Sequence, residues 1–400
     1  MASILPGLDD IHEGTRFRIK DQNKAEIYDR ICNASGITRK ELIAQTGIRP
    51  STVSEIVQQL VHDRLVAERG RRNDGMQGRP EGCLYPDYRR LCVIAFYVVS
   101  TELKAAMVWG NGSLSMQQSR ALPTDTDNEG FLETIRELME LFITLRPRGS
   151  EILGVCLAVP GYVNVHSKTW YYAARWPRIR NVAFSEIESE LGLPIVVNRA
   201  LDAGLQYLML KNPRYASGGT LLFHWGYGIG AAYAYDGITI KTSFGSFCEI
   251  GHLALYPESE RLCTCGAVGC LETVAALWAL IPDLRRTDPT VPQEELEFKR
   301  YCDECSLDDH PAVERAVEAI VRAIAILQTT FLPDRIIIYG PLLCHARIFD
   351  VVVDRVRSIV SPFAAAELNV EYMDTSFDGD VIGGASELFR LAFRSYLTAR

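Results

Sequence analysis

One short segment of the sequence, residues 249–272, contains four side chains that could bind a metal ion together. They are one imidazole and three thiols, His252, Cys263, Cys265 and Cys270. Because Zn²⁺ prefers four nitrogen and sulfur ligands in a tetrahedron, this set predicts a zinc site. Four protein ligands leave no open position for a catalytic water, so we expect a structural zinc. The alternative is a reduced cysteine cluster without metal, which the number and spacing of the ligands disfavour.

The same segment resembles the signature of a known family. Residues 249–252 read E-x-G-H and residues 263–272 read C-x-C-G-x-x-G-C-x-E, a pattern similar to that of the ROK family (repressors, open reading frames and kinases). The resemblance implies an α/β, two-lobed, actin-like sugar-kinase fold with a zinc-binding loop. It also implies that His252 binds zinc through one ring nitrogen and faces a sugar with the other. Glu249 and Glu272 would accept hydrogen bonds from the sugar hydroxyls.

Length and composition indicate a multidomain cytoplasmic protein. A chain of 400 residues with 48% hydrophobic residues has room for two or three domains with large cores. The longest apolar run, Leu91–Val99, is too short to cross a membrane. Residues 1–14 contain acids where a secretion signal carries positive charge, so we expect a cytoplasmic location. In that compartment the 11 cysteines are expected to be reduced thiols or metal ligands.

The charge is unevenly divided along the chain. The whole protein has a net charge of −8, but residues 16–90 contain 15 Lys and Arg against 10 Asp and Glu. This segment therefore carries +5, while residues 1–15 carry −3 and residues 91–400 carry −10. A basic segment attached to an acidic body predicts a nucleic-acid-binding domain joined to a second functional unit.

Three helices are predicted before residue 65, and their order is that of a helix-turn-helix. The first runs from Asn23, and the second opens at a capping box, Thr38 to Glu41, and ends at Gly47. The third opens at Pro50 and has apolar residues at helical spacing, Val53, Ile56, Val57 and Leu60. Such a helix enters the DNA major groove with its N-terminal turn, which here presents Arg49, Ser51, Thr52, Ser54 and Glu55.

A β-hairpin with a basic tip is predicted after these helices. Two short apolar segments flank a loop, residues 70–82, that is rich in Arg, Gly and Asn. Within this wing, Arg79 stands in a Gly-Arg-Pro sequence and is expected to reach a narrow minor groove. Residues 18–88, after a tail at 1–17, also resemble the N-terminal winged helix of ROK repressors, which implies double-stranded operator DNA as a partner. The alternative is a small helical interaction or dimerisation module.

From residue 89 onward, buried strands alternate with amphipathic helices, which indicates an α/β body. The resemblance assigns residues 89–205 to a first lobe and residues 206–378, with the zinc-binding segment, to a second lobe. Residues 379–400 are expected to form a helix, after Gly383-Gly384, that returns to the first lobe.

The residues that a ROK sugar kinase needs for phosphoryl transfer are largely missing. The family's first phosphate motif resembles D-x-G-x-T, but residues 96–101 here read FYVVST. The second, G-T-G-x-G, is GYGIG at 226–230, and the third, a Gly-Gly pair, is Gly340-Pro341. Ala200 stands where the catalytic Asp is expected, and Arg199 where the sugar-binding Asn is expected. Because phosphoryl transfer depends on positioning and charge stabilisation, we expect no catalysis.

The altered cleft still predicts a ligand. Glu249, His252 and Glu272 are retained, whereas Arg199 introduces a fixed positive charge with several donors. We therefore expect a sugar effector, and one hypothesis is an acidic or phosphorylated sugar that pairs with Arg199. The alternative is that Arg199 forms a salt bridge with Glu249 or Asp202 in an empty site.

Three further features are expected to be structural. The aromatic residues 170–172 and Trp176 are expected to pack in the core rather than line the cleft. Cys302 and Cys305 have metal-like spacing but no second pair nearby in sequence, so we expect them to face solvent. The acid-rich segment 289–309 is expected to be a solvated helix and loop, although such a surface could bind a partner protein.

Together these patterns predict a transcriptional regulator, most simply a repressor of carbohydrate-metabolism genes. It would bind a two-fold symmetric operator as a homodimer, or as a tetramer. The competing interpretations are an active sugar kinase with an attached DNA-binding domain, and a regulator that responds to a protein partner rather than to a sugar.

Overall fold

A computed structural model describes residues 19–34, 36–72, 81–242, 247–304, 307, 310–373 and 378–398. The predictions for the tail at 1–17, for Arg79 and for Cys305 lie outside these residues. Within the described part of the chain, no helix combines the length and the apolar character needed to span a membrane.

The N-terminal unit begins with three helices, α1 (Ile19–Asn33), α2 (Arg39–Thr46) and α3 (Pro50–His62). The predicted capping box is present: the Thr38 hydroxyl accepts a hydrogen bond from the Glu41 amide, and the Glu41 carboxylate accepts one from the Thr38 amide. Gly47, with φ of 67°, ends α2 in the left-handed conformation. Helix α3 buries Val53, Ile56, Val57 and Leu60, as predicted. Helix α1 begins at Ile19, earlier than the predicted start at Asn23.

The predicted hairpin follows as two antiparallel strands, β1 (Val66–Arg72) and β2 (Glu81–Pro86). Arg39 on α2 donates two hydrogen bonds, both 2.9 Å long, to the Glu68 carboxylate on β1. These bonds lower the pKa of Glu68 below its ordinary value. The paired contact fixes the hairpin against the helices.

The first lobe is built on a five-stranded sheet with the order β10-β6-β3-β4-β5. Its strands are β3 (Leu91–Val99), β4 (Glu102–Trp109), β5 (Leu114–Ala121), β6 (Glu151–Val159) and β10 (Ile195–Arg199). Strand β3 is buried at every position and pairs in parallel with β6 and antiparallel with β4. A small sheet and two helices complete the lobe: β7 (Tyr162–Asn164), β8 (Thr169–Ala173), β9 (Trp176–Ala183), α4 (Asn128–Leu145) and α5 (Ser185–Leu191).

The second lobe has a mixed five-stranded sheet with the order β13-β12-β11-β14-β15. Its strands are β11 (Gly219–Trp225), β12 (Ile229–Tyr235), β13 (Ile238–Thr239), β14 (Arg335–Tyr339) and β15 (Val370–Tyr372). The helices are α7 (Glu272–Ala275), α8 (Leu277–Arg285), α9 (Glu295–Glu304), α10 (Pro311–Phe331), α11 (Ala346–Ile359) and α12 (Pro362–Ala366). Apolar residues of α10, such as Ile320, share one core with Phe223 and Ile338 of the sheet.

Helix α6 (Ala200–Lys211) packs against both lobes and against the C-terminal helix α13 (Asp378–Thr398). Helix α13 matches the expected helix at 379–400, but Gly383 and Gly384 lie inside it rather than before it. They are needed for close packing, because a Cβ on Gly383 would lie 1.9 Å from the carbonyl oxygen of Ala203 on α6. The proposed lobe boundary after residue 205 falls within α6.

The N-terminal unit and the first lobe share a continuous hydrophobic core. Ile27 of α1 and Leu60 of α3 belong to the same buried cluster as Val93 of β3 and Phe389 of α13. Helix α13 contacts both the N-terminal unit and α6. It therefore connects the N-terminal unit to the region between the lobes.

The acid-rich segment 289–309 is less solvated than expected. Its helix α9 buries Phe298 and Cys302, four residues apart on one helical face, in the second-lobe core. Cys302 is only 3% exposed, so the expectation that it faces solvent is wrong. Just before and at the start of α9, Glu294 and Glu295 reach across the cleft between the lobes.

Candidate metal and effector site between the lobes

The four predicted metal ligands meet at one point. His252 ends a short 3-10 turn, and Cys263, Cys265 and Cys270 follow on a loop that turns at two glycines. Gly266 and Gly269 have φ of 95° and 76°, which favours glycine. A Cβ on Gly269 would also lie 2.7 Å from the carbonyl oxygen of Tyr256. The loop therefore closes around the thiols only with glycine at this position.

The ligand atoms have the spacing of a tetrahedral metal site. All four lie within 4.8 Å of one another. His252 Nδ1 is 3.5 Å from Cys263 Sγ, and Cys265 Sγ is 3.7 Å from Cys270 Sγ. A zinc tetrahedron with Zn–S bonds of about 2.3 Å has S···S edges of about 3.8 Å. The donor set and its geometry therefore fit zinc.

His252 connects this Cys₃His cluster to the cleft between the lobes. Its Nδ1 faces the thiols, while its Nε2 lies 4.0 Å from Glu249 Oε2. The imidazole lies beside the Tyr172 ring, with ring centroids 6.0 Å apart. All three residues line a cavity of about 180 Å³. A metal on Nδ1 would fix the ring and leave Nε2 for the cavity.

The two predicted sugar-binding carboxylates differ in their hydrogen bonds. Glu272 Oε1 accepts from the Ile229 amide at 2.8 Å and Oε2 accepts from the Trp278 indole at 3.2 Å. Each oxygen retains a further acceptor position for a ligand hydroxyl. Glu249 Oε1 is buried without a hydrogen-bond partner, and burial raises the pKa of this carboxyl despite nearby Arg199. We call the cavity wall formed by Tyr172, Glu249, His252 and Glu272 the metal half of the cleft.

Arg199 is paired with protein groups, which agrees with the alternative that it forms a salt bridge with Glu249 or Asp202. Its Nη2 donates to Asp202 Oδ1 at 3.0 Å and to the Ala231 carbonyl at 2.7 Å, and its Nη1 lies 3.7 Å from Glu249 Oε1. Arg199 Nε and Asp202 Oδ2 are buried without hydrogen-bond partners, like Glu249 Oε1. Ala200, which has no titratable group, lines the cavity beside them. The site therefore has polar atoms for a ligand but no general base at position 200.

A side chain of the protein occupies the glycine loop at 226–230. The Tyr227 amide donates to Glu295 Oε2 at 3.4 Å, and His224 Nε2 lies 3.3 Å from Glu295 Oε1. A Cβ on Gly226 would lie 2.3 Å from the same Oε1. Burial alone would raise the pKa of Glu295, but His224, Arg175 and the Tyr227 amide lower it below its ordinary value. The loop thus holds an ionised carboxylate of its own chain.

Two groups of the first lobe complete this second cluster. Arg175 is 7% exposed and donates to Glu294 Oε2 at 3.1 Å. Its guanidinium also lies 3.7 Å from Glu295 Oε2 and 3.8 Å above the Tyr227 ring. Ser100 Oγ donates to Glu294 Oε2 at 3.2 Å. We call this set, Ser100, Arg175, Tyr227, Glu294 and Glu295, the carboxylate cluster.

Sequence reasoning missed the carboxylate cluster. Arg175 and Glu294 are 119 positions apart, so no local spacing signals their contact. In the third phosphate motif, Gly340 packs against the backbone of β11. A Cβ at this position would lie 1.9 Å from the Trp225 carbonyl oxygen. The only available signal was the departure of three motifs from the family pattern.

The aromatic segment divides between core and cleft. Trp170 and Trp176 are at most 1% exposed, and their indoles donate to the carbonyls of Pro160 and Leu122. Both tryptophans are therefore buried as expected, but Trp176 also forms part of the cavity wall. Tyr172 instead lines the cavity, so the expectation is wrong for this residue.

The candidate DNA-contacting residues lie together at the start of α3. Arg49, Ser51, Ser54 and Glu55 are exposed, and Thr52 is half-buried. Arg49 occupies the N-cap without a side-chain hydrogen bond to the helix. Uncapped amides at a helix N-terminus favour anionic groups such as phosphate.

Two α/β lobes around a cleft, with a Cys₃His loop at its edge, define a protein with a sugar-kinase-like fold. The ROK family model matches residues 97–390. The chain therefore belongs to the ROK family.

The relatives include both regulators and kinases. The DNA-binding transcriptional repressor Mlc of Escherichia coli K12 is 23% identical over 378 residues, which cover 92% of this chain and 93% of Mlc. A crystal structure of a ROK family transcriptional regulator, a homologue of Mlc, aligns with a TM-score of 0.73 and 22% identity over 95% of this chain and 98% of its own. A ROK glucokinase from Streptomyces griseus, crystallised with glucose and AMPPNP, aligns with a TM-score of 0.57 and 19% identity over 74% and 98%.

Proposed function

We propose that this ROK protein is a transcriptional repressor of carbohydrate-metabolism genes that binds operator DNA through residues 18–88. The main support is the exposed start of α3 beside the β1–β2 hairpin, an arrangement typical of a winged helix-turn-helix. The basic charge of this segment favours DNA phosphates. Mlc, which this chain resembles over nearly its full length, is a DNA-binding transcriptional repressor.

In this proposal, Arg49, Ser51, Thr52 and Ser54 contact the major groove, and Arg79 contacts the minor groove. A homodimer would place two α3 helices on a two-fold symmetric site, and a tetramer would bind two such sites. The test is selection of genomic fragments by the purified protein. We expect a palindromic site beside sugar-uptake genes. Failure to enrich any sequence over a bulk genomic background would contradict the proposal.

The matched variants for this test are two arginines. Arg49→Ala should weaken binding of the selected site about tenfold or more, because it removes a charged contact at the groove. Arg357→Ala, an exposed arginine of α11, should leave the affinity within about twofold. Equal losses of DNA affinity in both variants would contradict the assignment of α3 as the helix that contacts the major groove.

We further propose that the metal half binds a sugar effector. Its support is the convergence of two carboxylates, an imidazole and an aromatic ring on one cavity. Because Arg199 is already paired with Asp202 and Glu249, the structure favours a neutral sugar over an acidic or phosphorylated one. Calorimetry with a sugar and its phosphate on the wild type and on Arg199→Gln decides between them. Tighter binding of the phosphate, lost in Arg199→Gln, would establish the acidic effector.

The same proposal makes the protein a sensor without kinase activity. Ala200 offers no base, and the glycine loop already holds the Glu295 carboxylate. A coupled assay with hexoses and ATP should detect no sugar-dependent ADP formation. Measurable turnover would restore the kinase interpretation. If no sugar releases the protein from its selected DNA site but a protein from a cell extract does, a regulator controlled by a protein partner would be favoured.

Finally, we propose that His252, Cys263, Cys265 and Cys270 bind a structural zinc ion. The support is the S···S and S···N spacing of the cluster. When bound, zinc would hold the loop closed and orient His252 toward the cavity.

A further inference from the structure

We infer that the carboxylate cluster, which lines the same cavity as the metal half, is a latch that holds the two lobes together. The inference concerns the protein alone and does not depend on the DNA or sugar proposals. It assigns a role to Ser100, Arg175, Glu294 and Glu295, none of which belongs to the metal half.

The contacts of the latch cross between the lobes. Arg175 follows β8, and Ser100 stands in the turn between β3 and β4, so both belong to the first lobe. Their partner Glu294 precedes α9, whose Phe298 is anchored in the second-lobe core. The bonds of Arg175 and Ser100 to one oxygen of Glu294, 3.1 and 3.2 Å long, can therefore persist only while the lobes stay together.

The closed arrangement pairs a charge that burial has removed from water, although Arg175 Nη2 itself makes no hydrogen bond there. Arg175 is a nearly buried cation whose two carboxylate partners both come from the other lobe. Separating a buried charge from its partners is unfavourable unless water replaces them fully. The Tyr227 ring, 3.8 Å below the guanidinium, adds a cation–π contact from the same lobe as the carboxylates. Opening the cleft on this side breaks all of these contacts at once.

The latch also excludes anions from the glycine loop. Glu295 accepts the Tyr227 amide, the kind of backbone donor that a bound phosphate would use. Its Oε1 lies where a Cβ on Gly226 would clash, so the loop is closely fitted to this carboxylate. A phosphate would have to displace Glu295 and face the negative charge of Glu294. The protein thus places its own carboxylates against the backbone donors of the glycine loop.

Hydrogen exchange on the full-length protein tests the latch. We would compare the wild type with the double variant Glu294→Gln, Glu295→Gln and with Arg175→Gln, each without DNA or sugar. The peptides that contain Ser100, Arg175 and Glu294, the residues that meet across the cleft, should exchange about tenfold faster or more in both variants, because the hydrogen bonds that join the lobes are lost. Small-angle scattering should report a larger radius of gyration for both. The matched control is Glu297→Gln, an exposed residue of α9, which should match the wild type.

The two variants approach the same contact from different lobes, which makes the outcomes decisive. If Arg175→Gln leaves the peptides with Ser100 and Glu294 protected while the glutamate variant does not, the effect of the glutamates is local to the second lobe and the latch is wrong. Unchanged exchange and scattering in both variants would also overturn it. Circular dichroism establishes folding, and Arg175→Lys provides a milder variant if Arg175→Gln unfolds. Failure of the latch would leave the DNA and sugar proposals standing, since neither ligand is present.

Discussion

The metal half of the cleft and the carboxylate cluster differ in how they use the same fold. In the metal half, Glu249, His252 and Glu272 face a cavity and retain acceptors for a ligand. In the carboxylate cluster, which lines the same cavity, Glu295 contacts the glycine loop and Arg175 joins it to the first lobe. The comparison shows that the two regions offer a ligand different surroundings: free acceptor positions in the metal half, and carboxylates already paired with protein groups in the carboxylate cluster.

The largest expected effect comes from removing a metal ligand. Cys265→Ser should abolish stoichiometric zinc and lower the free energy of unfolding by about 4 kcal/mol or more, because in the zinc proposal the metal holds the loop 249–272. Elemental analysis and urea unfolding measure the two effects. The control is Cys344→Ser, a cysteine outside the cluster whose hydrogen bond to the Pro341 carbonyl a hydroxyl can replace. Less than about 0.3 zinc per chain in the wild type would refute the assignment.

The next effect concerns the buried ion pair beside Ala200. Arg199→Met should lower the free energy of unfolding by about 3 kcal/mol, because Asp202 remains buried without its partner. The double variant Arg199→Met, Asp202→Leu should recover most of this loss. Arg178→Met, which removes an exposed pair with Asp127, should change stability by less than about 1 kcal/mol. A double variant as unstable as Arg199→Met would mean that the residues act through other contacts.

A smaller effect is expected on ligand affinity in the metal half. Glu249→Gln should weaken binding of the effector sugar about tenfold, because an amide is a weaker acceptor than a carboxylate for sugar hydroxyls. Calorimetry with the sugar found in the ligand screen measures this change. Glu258→Gln, an exposed glutamate of the same loop, should have no effect. Equal affinities of the wild type and Glu249→Gln would exclude Glu249 from the sugar site.

The smallest effect is the pH dependence of the carboxylate cluster. The pKa of Glu295 is lowered in the folded protein from 4.5, the value for an unperturbed carboxyl. Its contribution to stability is therefore present above pH 4.5 and is lost as the pH falls through the lowered folded-state pKa. Urea unfolding of the wild type and Glu295→Gln should show a difference in stability that shrinks on acidification below pH 4.5. A constant difference would contradict the ionised state of Glu295.

The features that the sequence predicted well are local. The capping box at Thr38 and Glu41 lies within one helical turn, and the buried face of α3 lies within one helix. The four Cys₃His ligands lie close together in sequence, between residues 252 and 270. Their side chains therefore meet without help from the rest of the fold. The family signature supplied the two-lobed architecture, which periodicity alone indicated only as α/β.

The features that the sequence did not predict depend on packing between distant segments. The position of Gly383 inside α13 follows from the close approach of α6, which no local pattern reveals. Cys302 was expected to face solvent because no second metal-binding pair lies nearby in sequence, whereas its spacing from Phe298 places both on one buried face. The contact of Arg175 with Glu294 requires two lobes to close on each other. Such contacts become visible only when the topology is known.

The most direct test of the central claim is a titration of the repressor bound to its selected DNA site. Fluorescence anisotropy would follow release of the labelled site by a panel of sugars, by their phosphates and by ATP. We expect one neutral sugar to change DNA affinity, and ATP to have no effect with or without that sugar. Release that requires ATP, or conversion of the sugar to its phosphate during the titration, would contradict an account in which only the metal half binds a ligand.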